Sequence, residues 1–473
     1  MVRTDDRTTT CPGAYLPADW PMFGRDPARS DISPTGFTVA ALKYLRRQEV
    51  ALPGIADSSP ILMTGIVVGG RARNLLVVTT SYGISLGIDA RTGGILWPYT
   101  PPGISGWENT GQITETSPVA DPDRRYVYVA SPNGLIHKLA IATGREVRAG
   151  GWPARVTLQP TLDKVEAALN LSGCLVIATT SGYFDTPPYQ GHVVTINRMT
   201  GRLAHVFNTL CSNRTALIAA ASCTLNNGSA NWGSAIFGRG SPVVDPSTGD
   251  LLVATGNGDW NGSADWGDSL LELSPDGGRL LQNYTPTTQE TLNVDDLDLG
   301  SSSPAILPAI KGWHMAVQGG KDRILRLLNV RNLNGHRRAG PYTGGQLGEV
   351  VLTDQLFSAP TAIANKGGAL VLVGNPSALS AYEVAVIDGH PRIHLAWQRA
   401  RGASTPIIAN DLIYAYDPYD GGLNVYTLAG RLVRNLPAGV GHWSSPIIAG
   451  GVIALPEGSA NDHVSHGVLD IYR

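Results

Sequence analysis

Ser117-Pro118, then Tyr126-Val127-Tyr128-Val129-Ala130, then Leu139-Ala140-Ile141-Ala142-Thr143-Gly144 decide the fold: an opening dipeptide, a run of β-formers, and a second short run ending on a tight turn. The phrase returns along the chain. Ser59-Pro60, Gln159-Pro160, Ser241-Pro242 and Ser303-Pro304 open further copies, and Ala359-Pro360, Thr405-Pro406 and Ser445-Pro446 complete the set. Short runs rich in Val, Ile and Tyr, bounded by Gly and Pro, read as strands. Openings about 55 residues apart lie near the ~40–50-residue period of β-propeller blades. The reading is all-β: a single eight-bladed β-propeller of four-stranded antiparallel blades, almost without helix.

The chain ends supply the closure. Residues 1–41 read as an N-terminal arm of loops and 42–473 as the propeller. Leu42 to Val50 forms one strand before the first Ser-Pro, and the last blade ends on Gly467-Val468-Leu469-Asp470-Ile471-Tyr472. Pairing the two in one blade leaves no open edge between first and last blades.

Composition agrees. Gly at 56 and Pro at 32 of 473 residues suit many tight turns, and an apolar share of 42% with only 16% charged residues suits stacked sheets rather than disorder. A net charge of −2 implies no broad attraction to nucleic acid or to an anionic membrane. No stretch is long and apolar enough to span a bilayer, and Met1 to Trp20 lacks the apolar core of a signal peptide.

Loops on a rigid ring are where binding residues collect. The longest insertion runs from about 208 to 238 and contains Trp232, which together with Trp443 is placed to line the axial mouth. Cys211 and Cys223 lie in that insertion and are expected to pair, as an oxidising compartment permits. Cys174 opens the apolar run to Ala178 and is expected to be a free buried thiol, while Cys11 lies in the arm. Gly83-Ile84-Ser85-Leu86-Gly87 matches a hydrolase nucleophile elbow, but it sits inside a blade and lacks the strand–turn–helix setting. His463 and His466 have no identifiable further metal ligand.

Asp19-Trp20-Pro21-Met22-Phe23-Gly24-Arg25-Asp26, the Asp89-Ala90-Arg91-Thr92-Gly93 corner and the repeated Ser-Pro resemble the quinoprotein propellers, the pyrroloquinoline quinone (PQQ) dehydrogenases and their PQQ-binding-like relatives. The resemblance covers nearly the whole chain at the level of repeats and is densest from Trp232 to Lys321. It implies PQQ held near the ring axis over a Ca²⁺ or lanthanide ion with oxygen ligands. Thr255-Gly256-Asn257 resembles the element whose Asn ligates the metal. Asp296-Leu297-Asp298 resembles the element whose first Asp is the catalytic base and whose second is an added lanthanide ligand. Asp185 falls near a ligating Glu, and Lys321 resembles the basic residue that contacts the quinone. Read by residue type alone, Gly256-Asn257-Gly258-Asp259 is also a turn signal, and the Asp cluster is also a solvated loop. Strand-like alternation at Asp296-Leu297-Asp298 would point both carboxylates to one face.

Two departures stand beside the resemblance. Arg239 falls where the enzymes carry the Trp that stacks on PQQ, so Arg239 would contact the quinone differently. There is no adjacent Cys pair, and no haem motif, so electrons would need an external acceptor. The implied function is a PQQ- and metal-dependent alcohol or sugar dehydrogenase. The alternative is a non-catalytic propeller that binds an envelope protein or glycan. Either reading implies an extracytoplasmic location, periplasmic or secreted, with the signal peptide absent from this chain.

Overall fold

The computed structural model describes residues 11–224 and 232–473. They form eight blades built on four antiparallel strands, in sequence order from inside to outside in blades one to seven, and one further two-stranded sheet pairs Asp163–Lys164 with Ser181–Gly182. The innermost strands of blades one to four begin at Ile61, Val119, Asn170 and Val243. Those of blades five to eight begin at Ala305, Thr361, Ile407 and Ile447. Among the described residues helix is confined to one turn, Val39–Leu42, a short helix, Gln289–Val294, and a few 3₁₀ turns.

The N-terminal strand closes the ring. Arg47–Leu52 is the outermost strand of blade eight, paired antiparallel from Arg47 opposite Tyr472 to Leu52 opposite Gly467. It starts later than Leu42 because Thr38 caps a helical turn there, its Oγ1 accepting from the Ala41 N–H.

The recurrent opening dipeptide has a structural cause. Ser117 Oγ accepts from the Ser59 N–H at 2.8 Å, Ser59 Oγ from the Ser445 N–H at 3.0 Å, Ser303 Oγ from the Gly240 N–H at 2.7 Å, and Thr405 Oγ1 from the Ala359 N–H at 3.0 Å. In each pair the hydroxyl of one opening satisfies a buried amide at the opening before it around the ring, or, for Gly240, one residue ahead of it. Gln159-Pro160 does not open a blade. It lies in the connection ahead of blade three, where Gln159 O accepts from Leu162 and Asp163, and the innermost strand begins only at Asn170.

The Thr-Gly corners dock neighbouring blades. Trp97 of blade one donates its indole N–H to Ile141 O in the turn of blade two, and a Cβ on Gly144 (φ +68°) would lie 2.5 Å from the Trp97 ring. Trp397 meets Leu428 O and Gly430 of blade seven in the same way.

The arm plugs the ring. Trp20 bridges to Leu62, Pro21 O accepts from Ala120, Pro27 O from Val244 and Asp31 O from Ile408. Ile32–Ser33 then adds a parallel fifth strand inside blade seven. Arg29 is buried at the centre, donating to Phe23, Ala168, Leu169 and Gly240 carbonyls.

Both cysteine pairs are disulfides. Cys211–Cys223 forms as expected. Cys174 is not a free thiol: it is bonded to Cys11. It stands at the turn between the first two strands of blade three rather than within a buried strand, and the arm passes beside it, with Pro12 O accepting from Arg198.

Candidate functional site at the axial mouth

Topology dictates which residues meet. In a four-stranded antiparallel blade, the connection into the first strand and the turn between strands two and three share one face of the ring. Position two before each opening therefore faces the axis. Asp57, Glu115, Arg239, Ser301, Phe357 and Trp443 occupy it, and Glu166 is its equivalent in blade three. Most of them, with the second-to-third turns of blades three, five and eight, line a mouth of about 240 Å³.

On one side of it stands a polar cluster. The Asn257 N–H donates to Asp298 Oδ1 at 2.7 Å, and Asn257 Nδ2 donates to Asp296 Oδ1 at 2.9 Å. Lys321 Nζ lies 2.9 Å from Asp296 Oδ1 and 2.6 Å from Asp298 Oδ2. A Cβ on Gly256 would stand 2.1 Å from Asp298 Oδ1, so this close approach requires glycine. Asp296 and Asp298 do share a face, but not through strand alternation. Asp296 sits in a left-handed turn (φ 53°) after the helix Gln289–Val294, and Asp298 leads into a 3₁₀ turn.

Burial divides the carboxylates. Asp296 is 68% exposed at its side chain, and Asp298 is buried. Burial pushes the Asp298 carboxyl up, opposed chiefly by the Lys321 ammonium. Burial works against the Lys321 charge, but Asp298 and Asp296 outweigh it and hold its pKa above the ordinary lysine value. Asn257 Oδ1 is buried without a hydrogen-bond partner.

Asp185, held by a bond from the Tyr189 hydroxyl at 3.1 Å, lines the same mouth as Asp298 and Lys321. Trp232 is apart from that lining: it is 44% exposed, its ring 6.1 Å from Tyr189. Arg239 lies deeper, buried, 2.8 Å from Glu115 Oε2 and 3.3 Å from Asp57 Oδ1, with its guanidinium 5.3 Å from the Trp443 ring centre.

Arg239 belongs to a buried charge network that motif reading missed. Lys164 lies 3.1 Å from Glu115 and 3.5 Å from Glu166, and His442 Nδ1 lies 2.6 Å from Asp57 Oδ2. Burial raises the Glu115 carboxyl, but Arg239 and Lys164 outweigh it and hold it low; Glu166, with one cation and a like charge beside it, is pushed up by burial. Asp57, Glu115 and His442 offer ligand atoms within 4.8 Å of one another, yet the Arg239 guanidinium already supplies the positive charge there. Their spacing from the Ser-Pro openings was the available signal. Trp443 is stacked on His442 (3.7 Å) and on Phe357 (5.3 Å), making an aromatic wall.

The oxygens of the donor set fit a hard cation, with Lys321 Nζ already paired to both carboxylates. An orphaned Asn257 oxygen beside two carboxylates offers the oxygen-only chemistry such ions take. The mouth also suits a flat, multiply anionic ring, with Lys321, Lys164 and His442 as cations and Phe237, Phe357 and Trp443 as apolar faces. Arg239 remains a departure, since its guanidinium is committed to Asp57 and Glu115.

Over nearly its whole length the chain shares the fold of solved alcohol and methanol dehydrogenases. Quinohemoprotein alcohol dehydrogenase from Comamonas testosteroni aligns over 96% of this chain and 80% of its own, at 15% identity and a TM-score of 0.67. A quinohemoprotein alcohol dehydrogenase from Pseudomonas putida HK5 gives 97%, 80%, 14% and 0.69. A europium-containing methanol dehydrogenase gives 97% and 98% coverage, 15% identity and 0.67. At these identities the likeness is one of fold: the eight-bladed ring is that of the quinoprotein dehydrogenases. No protein-family model and no curated protein sequence matches the chain.

Proposed function

We propose that this propeller is a quinoprotein-like dehydrogenase that binds PQQ over a Ca²⁺ or lanthanide ion at the axial mouth and oxidises an alcohol or a sugar. The observation that carries the reading is the contact of Asn257, Asp296, Asp298 and Lys321, drawn from three separate connections, around a buried oxygen with no partner. Asn257 Oδ1 and the Asp298 carboxylate would hold the ion, with Asp185 across the mouth as a further oxygen donor. Lys321, and Arg239 from below, would face the quinone, with Trp232 at the rim. When bound, the quinone supplies the two-electron acceptor, and an external partner would have to reoxidise it.

In this reading Asp296 would accept the substrate proton. Its Oδ1 is held by Asn257 and Lys321, and its side chain is exposed to solvent beside Asp298, which lines the mouth. A base must reach the hydroxyl proton directly, and a fixed, solvent-facing carboxylate does so. Two disulfides favour an extracytoplasmic setting, where such bonds persist.

The commitment of Arg239 to Asp57 and Glu115 favours a second reading, a non-catalytic propeller that binds an envelope protein or glycan at the same mouth. Titration with PQQ and Ca²⁺ or a lanthanide, followed by absorption, separates the two. Saturable binding with dye reduction that Asp296→Ala abolishes supports the dehydrogenase. Absence of any PQQ binding leaves the second reading.

A further inference from the structure

The face opposite the mouth carries a pattern unrelated to the site. In every blade the turn between strands three and four lies on that face. Six of these turns carry an exposed arginine; in blade six it stands in the outer strand beside the Asp388-Gly389 turn, and in blade eight it follows the third strand at the chain end. Blades one to four present Arg91, Arg145, Arg202 and Arg279. Blades five to eight present Arg331, Arg392, Arg431 and Arg473, the last joined by Arg46 across the closing seam. Among the described residues none of these eight forms an ion pair. The acids near them are largely engaged elsewhere: Asp89 with Arg73, Asp121 with Arg198, Asp245 with His314. Asp250, Asp388 and Asp411 remain as counter-charges, with Asp276, half-exposed in the Arg279 turn and 3.5 Å from His205.

Aliphatic side chains stand exposed between the arginines. Val67, Ile95, Ile387 and Leu432 lie at the same ends of their strands, and Met199 lies in the third-to-fourth turn of blade three. At the seam of blades one and eight, Arg71, Arg73, Arg91 and Arg473 line a cleft of about 490 Å³ on this face.

We propose that this face docks on an anionic lipid bilayer. Cations spread around a whole ring can all be met at once by a flat, fluid sheet of phosphates, whereas a rigid acidic protein would meet only a local patch. Guanidinium groups bind phosphate bidentately, and interleaved aliphatic groups suit the boundary between headgroups and acyl chains. The near-zero net charge of the chain averages over faces and hides this asymmetry. Docking in this orientation leaves the mouth open to solvent.

Flotation of the full chain with vesicles tests the proposal without any cofactor, so its outcome is separate from that of the dehydrogenase reading. The expected result is binding to phosphatidylcholine vesicles doped with phosphatidylglycerol, none to phosphatidylcholine alone, and loss at high salt. A combined Arg91→Gln, Arg145→Gln, Arg331→Gln and Arg431→Gln variant should bind roughly a thousandfold more weakly, with unchanged thermal unfolding. Should that variant unfold, the same change at Arg202, Arg279, Arg392 and Arg473 serves. Full binding by a folded variant, equal binding to neutral vesicles, or no flotation overturns the proposal. Binding to soluble polyglutamate in place of vesicles overturns it too, and points to an acidic protein.

Discussion

Gly256 has no room for a side chain, because the carboxylate of Asp298 stands where its Cβ would be. Gly256→Ala must push Asp298 away from the Asn257 amide. The expected cost is about 1–3 kcal/mol, typical of overpacking, read as a lower denaturant midpoint. A second residue, Glu272, makes stability depend on pH. Burial, with Asp250 and Asp245 nearby, pushes its carboxyl up from 4.5 to about 7, against the bond it accepts from Gln282. The folded state holds this proton more tightly than the unfolded chain does. Its contribution is therefore fully present below about pH 4.5 and is lost as pH rises toward 7. Glu272→Gln should raise the melting temperature relative to the parent at pH 8 and not at pH 4. An equal shift at both would remove Glu272 as the cause.

At the scale of the element, the opening dipeptide is a stitch between blades. Ser117 and Ser59 are both buried, and Ser117 Oγ is the acceptor of the Ser59 amide. Ser117→Ala leaves that N–H unsatisfied, at an expected cost of about 1–3 kcal/mol in the guanidinium unfolding midpoint. Much of this level was legible. Strands, corners and closure follow from short β-runs punctuated by Gly, Pro and Thr-Gly. The first strand of blade three was not, because Gln159-Pro160 repeats the pattern without its place. Nor was the turn that positions Asp296, since a two-residue alternation reads the same in a strand and in a left-handed bend.

Across the whole molecule, the arm ties distant parts together. It crosses the inner strands of blades one, two, four and seven, and the Cys11–Cys174 bond closes a loop of 163 residues. Cys11→Ser should cost about 2–4 kcal/mol, seen as a lower unfolding midpoint under non-reducing conditions. If Asp296→Ala retained PQQ-dependent dye reduction, the base would have to be sought elsewhere at the mouth.

By itself the sequence determined the repeat, the blade number and the closed ring, since those rest on local β-propensity and turn chemistry recurring at a fixed spacing. It also marked Asn257, Asp296, Asp298 and Lys321 as candidates. Only the tertiary structure decided that these four touch, that Trp232 stands outside the lining, and that Arg239 is held by Asp57 and Glu115. It alone paired Cys11 with Cys174 and gathered one arginine from every blade onto a single face. The physical reason is the ring. Closure brings residues scattered along hundreds of positions onto one axis or one face, and no local pattern records which of them will meet.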